Sequence, residues 1–404
     1  MTSTIGKALS IEDLRRMAKV RLPRLVFDHV EGGLDDEDCL GLNERSFGSY
    51  RLLPRYLVDV SQAAQNVTVL DRTYASPFGI APTGLAGFVR DGGDMTLAEA
   101  AKSADIPFVI SGHSTSSLEK LARVAQGNAW FQLYIARDSA VTRDMCHRAA
   151  NAGITNLVVT IDVPIHGKRE RNIRNGFVRP YRPTLSAALE ALRHPAWLWS
   201  YLNKGMPIFE NWSPYVEKRA DAMAVAEYVS AQMPSVQTWT SLESIRADWP
   251  GKLIVKGILH PADAEQAVSM GADGIIVSNH GGRQLDRAPA PIDAFPAVAA
   301  AVAGRATLML DSGVRRGADI VTALCLGAQF VFVGRATLYG LAAGGAAGVR
   351  RALEILRAEV STVMSQLGRP RVEDLGRDVL FHPPGSRCAI QQGACSVPFS
   401  QTVR

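Results

Sequence analysis

The chain has 404 residues with 47% hydrophobic and 21% charged residues, a balance that builds a large packed core and excludes disorder as the general state. Its formal charge of +5 comes from scattered lysines and arginines without a basic block, which excludes a nucleic-acid arm and leaves anionic small ligands as the natural partners. Nowhere do about 20 apolar residues run together, and the first 20 carry no export-type apolar core, so a cytoplasmic protein without a spanning helix is expected.

In chain order, Ser10 before Ile11, Leu14, Met17 and Ala18 predicts a capped helix, and Leu25 to Val30 before Gly32-Gly33 predicts a second with a glycine stop. These open a helical preface over 1–70. From residue 77 short apolar runs alternate with Ala-rich helical stretches. The runs are Phe78–Ala81, Phe108–Ser111, Ala129–Leu133, Leu157–Ile161, Leu253–Lys256, Gly274–Ser278, Thr307–Leu310 and Phe330–Val333. Eight strands alternating with helices make an α/β chain with a parallel sheet, closed as a TIM (β/α)8 barrel over 77–365 or left open and doubly wound. The closed form is the expectation, within one domain over 1–376 followed by a tail, 377–404. A long excursion after the fourth strand, 172–238, exceeds ordinary loop length and calls for a function. Its stretch from 184 to 212 mixes Trp197, Trp199, Tyr201, Leu202 and Phe209 with Lys204, which suits either a lid on the barrel or a membrane interface. The five cysteines have no metal-site spacing, so no metal is expected; they read as reduced thiols, with a Cys388–Cys395 disulfide in the tail as the alternative.

Barrel chemistry sits where strands end at their C-terminal side. After the sixth run, SNHGGRQLD at 278–286 brings His280, a base, next to Arg283, a carboxylate clamp, across two glycines. TIDVPIHGKRE at 160–170 puts Asp162 after the fourth run, where it can orient the imidazole and stabilise its protonated form. Arg169 in the same loop can grip a carboxylate together with Arg283. Lys256 closes an otherwise apolar run, IVKGI, and needs an anionic partner. LDSGVRRG at 310–317 and VGRA at 333–336 follow strands seven and eight, where barrels bind phosphate; Gly313, Arg315, Gly334 and Arg335 fit that use.

With these motifs the chain resembles the FMN-dependent L-2-hydroxy-acid oxidase and dehydrogenase family over roughly residues 10–375. APTGLAG at 81–87, DSGVRRGADIV at 311–321 and GRATLYGLAA at 334–343 bring it nearest the mandelate and lactate dehydrogenase branch. The resemblance implies FMN held by Pro82, Thr83, Gly84, Ser111, Gln132, Thr160, Lys256, Ser278, Asp311, Gly313, Arg315, Gly334 and Arg335. It implies catalysis by His280, Asp162, Tyr134, Arg283 and Lys256, with Arg169, Arg283, Tyr134, His29 and His113 around the substrate. His29 and His113 are departures, standing where the family usually places a tyrosine and often another aromatic residue. Lys256 beside the flavin would stabilise its reduced anion. Expected partners are a 2-hydroxy acid and a quinone or protein electron acceptor, in a homotetramer with peripheral contact to the inner face of the cytoplasmic membrane through 184–212. The alternatives are an oxidase reducing oxygen, and a catalytically silent flavin-binding scaffold.

Overall fold

Eight short parallel strands are buried along both faces, and a sheet with no solvent-facing side must be covered by helices outside and closed on itself within. The computed structural model describes residues 5–165, 167–177, 189–217, 220–233 and 237–381. The barrel strands are Phe78–Ile80, Phe108–Ile110, Ala129–Leu133, Asn156–Thr160, Lys252–Ile258, Gly274–Val277, Thr307–Leu310 and Phe330–Val333, the eighth pairing with the first. The doubly wound alternative is thereby excluded.

Two apolar cores result. Outward-facing strand residues join the helices, whereas Val109, Trp130, Val158, Ile254, Ile276, Met309, Phe330 and Phe332 fill the barrel. The inner core is plugged by an antiparallel hairpin, Val67–Val69 with Arg72–Tyr74, which the expectation of a purely helical preface missed. Three-residue strands leave too little alternation to be read from sequence. Tyr74 is buried among the barrel aromatics, and its hydroxyl accepts the Trp130 indole N–H at 3.1 Å.

The expected helices Ile11–Arg21 and Arg24–Glu31 are present, the first capped by Ser10 and Asp13 reciprocally. Gly32 ends the second through close approach, since a Cβ there would lie 2.7 Å from the Asp28 carbonyl oxygen. A third preface helix, Asp38–Arg45, lies against the loop after the sixth strand, where the Asn43 and Asn279 side-chain amides exchange hydrogen bonds of 2.9 and 2.6 Å.

The excursion divides in two. Phe209, Asn211 and Trp212 are buried as a cap: the Trp212 indole donates to the Gly112 carbonyl at 3.0 Å, and Asn211 donates to the Ser111 carbonyl. The helix Pro195–Lys204 has no fully buried residue; Trp197 donates to the Phe88 carbonyl, while Trp199 and Leu202 are 70% and 67% exposed. Residues 178–188 lie outside the described residues, among them 184–188 at the start of the expected lid or membrane segment. Among the described residues no helix is long and apolar enough to cross a membrane. Cys39, Cys146 and Cys325 are buried free thiols; Cys388 and Cys395 fall outside the described residues.

The Tyr74–Trp130 contact predicts that Tyr74→Phe, by stranding a buried indole donor, lowers stability by about 1–3 kcal/mol. The urea midpoint should fall with an unchanged slope.

Candidate active site

A cavity of about 590 Å³ opens at the C-terminal ends of the strands, within the size range of cofactor sites. Its walls include His29, Pro82, Thr83, Gly84, Ser111, His113, Tyr134, Thr160, Arg169, Lys256, His280, Arg283, Asp311, Gly313, Arg315, Gly334 and Arg335. Of the residues singled out from sequence, Asp162, Gln132 and Ser278 do not line it and act from behind the wall.

His280 occupies the left-handed backbone region (φ +58°), followed by Gly281 and Gly282 at +68° and +72°. A histidine held there is strained, and the surrounding bonds hold it: its N–H donates to Ser278 Oγ at 3.0 Å, and the Gly281 N–H to Ser312 Oγ at 2.9 Å. The imidazole Nδ1 lies 2.8 Å from Asp162 Oδ1, and Nε2 lies 3.5 Å from the Tyr134 hydroxyl. Burial depresses the His280 pKa below its ordinary 6.5 in spite of the opposing pull of Asp162. Burial alone would raise Asp162, but the His280 and Lys256 charges outweigh it and hold the carboxyl below its usual range. An ionised carboxylate only accepts, so Nδ1 carries the hydrogen and the Nε2 lone pair faces the cavity.

Asp162 is positioned by a feature the sequence reading passed over. The fifth strand bulges between Lys256 and Ile258, with Gly257 at φ +103°; a Cβ on Gly257 would lie 2.6 Å from the Asp162 Cβ. The glycine of IVKGI thus makes room for the carboxylate, and Gln284 fixes the Asp162 carbonyl at 3.0 Å. A glycine inside a strand was the available signal.

Lys256 is buried, with its ammonium 3.1 Å from Asp311 Oδ2 and 2.9 Å from Ser278 Oγ. Burial lowers its pKa, yet Asp311 and Asp162 more than compensate, so it stays cationic. The protein therefore supplies an anionic partner of its own, beside any ligand.

The arginines are engaged by the protein to different degrees. Arg335 is buried and spends Nε, Nη1 and Nη2 on the carbonyls of Val30, Gly281 and Gly32 at 2.8–2.9 Å. Its side chain is a strut, and its backbone opens the helix Arg335–Gln366, whose N-terminal N–H groups favour an anion. Arg315 reaches Glu44 at 2.9 Å along the cavity edge, a partner with no sequence signal. Arg283 gives Nη1 to the carbonyls of His29 and Gly32, and burial followed by the Arg169 and Arg335 charges lowers its pKa well below the ordinary value. Guanidinium groups held against each other favour an anion between them. His29 contributes a carbonyl to this clamp and packs its ring 4.8 Å from Phe177; His113 stacks on Tyr134 at 4.7 Å.

Three buried polar atoms, Thr83 Oγ1, Gln132 Nε2 and Thr160 Oγ1, make no hydrogen bond among the described residues. Such orphans are rare unless a ligand meets them, and Thr83, after the first strand, and Thr160, at the end of the fourth, line the cavity itself. The residues present therefore fit a flat polar heterocycle. Among the described residues no cluster of His, Cys, Asp or Glu could hold a metal.

A family model, FMN-dependent dehydrogenase, matches residues 18–382. The chain is 41% identical over 372 residues to (S)-mandelate dehydrogenase of Pseudomonas putida, covering 92% of this chain and 93% of the relative. It is 39% identical over 377 residues to L-lactate dehydrogenase of Stenotrophomonas maltophilia, covering 92% and 98%. A crystal structure of the monotopic membrane protein (S)-mandelate dehydrogenase superposes with a TM-score of 0.89 at 40% identity, over 93% of this chain and 99% of that one.

Replacing Lys256 by Met leaves Asp311 buried without its cation and should cost about 3–5 kcal/mol. Adding Asp311→Asn should recover part of that loss, as read by thermal denaturation of both variants.

Proposed function

The chain belongs to the FMN-dependent dehydrogenase family, and from that premise we propose that it oxidises an L-2-hydroxy acid of lactate or mandelate type to the 2-oxo acid, with His280 as the base and a quinone or protein receiving the electrons. The observation that carries the assignment of the base is the 2.8 Å contact between His280 Nδ1 and an ionised Asp162, which leaves Nε2 as a proton acceptor on the cavity side. FMN, when bound, supplies the two-electron acceptor.

The substrate carboxylate lies between Arg169 and Arg283, where two guanidinium groups meet one anion. That places the 2-hydroxyl near Tyr134 and His280 Nε2, whose 3.5 Å separation leaves room for a shared hydrogen-bonding partner. His280 takes the proton, and the adjacent carboxylate stabilises the imidazolium; the same geometry serves whether the proton leaves oxygen or carbon. Tyr134 keeps its hydrogen as a donor, since burial and Asp162 push its pKa up to about 12. Lys256 adds positive charge beneath the reacting centre.

Exposed Trp199 and Leu202, with Leu189 and Leu192, support peripheral membrane contact and an apolar electron acceptor there. The exposed stretch Leu53, Tyr56 and Leu57 supports the homotetramer as a subunit contact.

Anaerobic mixing with L-lactate, L-mandelate and longer 2-hydroxy acids tests the activity: one of them bleaches the flavin absorbance, and bleaching by none overturns it. In His280→Gln the flavin should remain bound while its reduction slows by about 10²–10⁴-fold. Because the folded pKa of His280 is depressed, the base is neutral at pH 7 and kcat/KM should fall only as pH drops through a value below 6.5. A limb above that value contradicts a neutral buried base. Vesicle flotation of the protein with and without residues 196–209 tests the membrane contact.

A further inference from the structure

Asp94, in the first turn of the helix Gly93–Ser103, is buried far from any role assigned above. Its carboxylate accepts the Thr115 N–H at 3.0 Å and the Thr115 hydroxyl. Thr115 belongs to the loop after the second strand and Asp94 to the helix after the first, with Gly87 of the short helix Ala86–Val89 packed against Thr115, so one side chain ties together the segments that follow two neighbouring strands. The tie is close: a Cβ on Gly87 would fall 2.2 Å from Thr115 Oγ1. A second stitch runs beside it, from the Leu85 N–H to the His113 carbonyl at 3.1 Å. On the strand side of the stitches, Thr83, Gly84, Ser111 and His113 reach the cavity wall. Burial pushes the Asp94 pKa up to about 6, so holding this carboxylate dry is costly, and an apolar side chain would fill the space without that cost.

We infer that Asp94 is a positioning residue for the substrate wall: by holding Thr115 in place against Gly87 it fixes the His113 ring against Tyr134, and through that stack it sets which 2-hydroxy-acid side chains the site accepts. The inference rests on the active-site reading above. His113 and Tyr134 stack at 4.7 Å with 26° between their planes, and His113 also packs against Phe209 at 5.4 Å. A His113 backbone freed to shift moves the ring edge that faces a large substrate side chain, while a small side chain does not reach it. His280 and Asp162 belong to other strands and keep their contact.

The test is the ratio of kcat/KM for L-mandelate to that for L-lactate in Asp94→Asn and in Thr115→Val, the second variant deleting one donor if the first does not fold. The ratio should change at least fivefold in either variant, mainly through KM, with kcat for L-lactate within threefold of wild type. In a His113→Ala background the same substitutions should leave the ratio where it stands. A wild-type ratio, whatever happens to Tm, or an equal effect with and without His113, overturns the inference. If neither acid reduces the wild-type flavin, the clamp is read instead from FMN affinity of the apoprotein by flavin fluorescence, and failure of the longer 2-hydroxy acids as well overturns the active-site reading by itself. At least fivefold weakening in the variants supports the clamp, and unchanged affinity overturns it.

Discussion

A carboxylate held against an imidazole in a buried place decides both proton positions at once, and the strand ends around the cavity are arranged to keep that pair together. Asp162 comes from the fourth strand, His280 from the sixth, and the fifth contributes the glycine bulge without which the two could not meet at 2.8 Å. The left-handed backbone of His280 runs against its intrinsic preference by about 1–2 kcal/mol, and Ser278, Ser312 and the neighbouring glycines hold it there. Lys256 links the pair to the seventh strand through Asp311.

Positive charge is the second organising element. Arg169, Arg283, Arg315, Arg335 and Lys256 all reach one cavity, and they do not act alike. Arg335 is wholly occupied by carbonyls, Arg283 is partly so, and Arg315 shares a carboxylate at the rim. Each carbonyl bond fixes a guanidinium in place without cancelling its charge, which leaves a positive field in the cavity that favours anionic ligands. The same bonds connect the preface to the barrel, so residues 29–32 belong to the site as much as the strand loops do.

The barrel was legible because its strands are separated by helices of ordinary length and bounded by glycine or polar residues; the eight apolar runs coincide with the eight strands to within a residue or two at most ends. The hairpin was not, since Val67–Val69 and Arg72–Tyr74 are too short to display a period. His280, Arg283 and Lys256 stood out as residue types that are costly at strand ends, and the cavity gathers them. What could not be read were partners fixed only by distant packing, such as Asn43 with Asn279, Glu44 with Arg315 and Asp94 with Thr115. A glutamate on a preface helix looks like any solvent-facing glutamate until the fold brings an arginine from 271 positions later against it. The carbonyls that occupy the Arg335 side chain were likewise beyond the sequence, because they come from Val30, Gly32 and Gly281 and only the fold brings them to it.

The Arg335 strut also has a temporal meaning. It joins the carbonyls of Val30 and Gly32 to the final barrel strand across 305 and 303 positions. A polypeptide emerging from the ribosome holds the first half of that bond almost from the start and the second half only near the end. The prosthetic group thus has no finished receptacle during most of synthesis, and loading belongs to the released or nearly released chain.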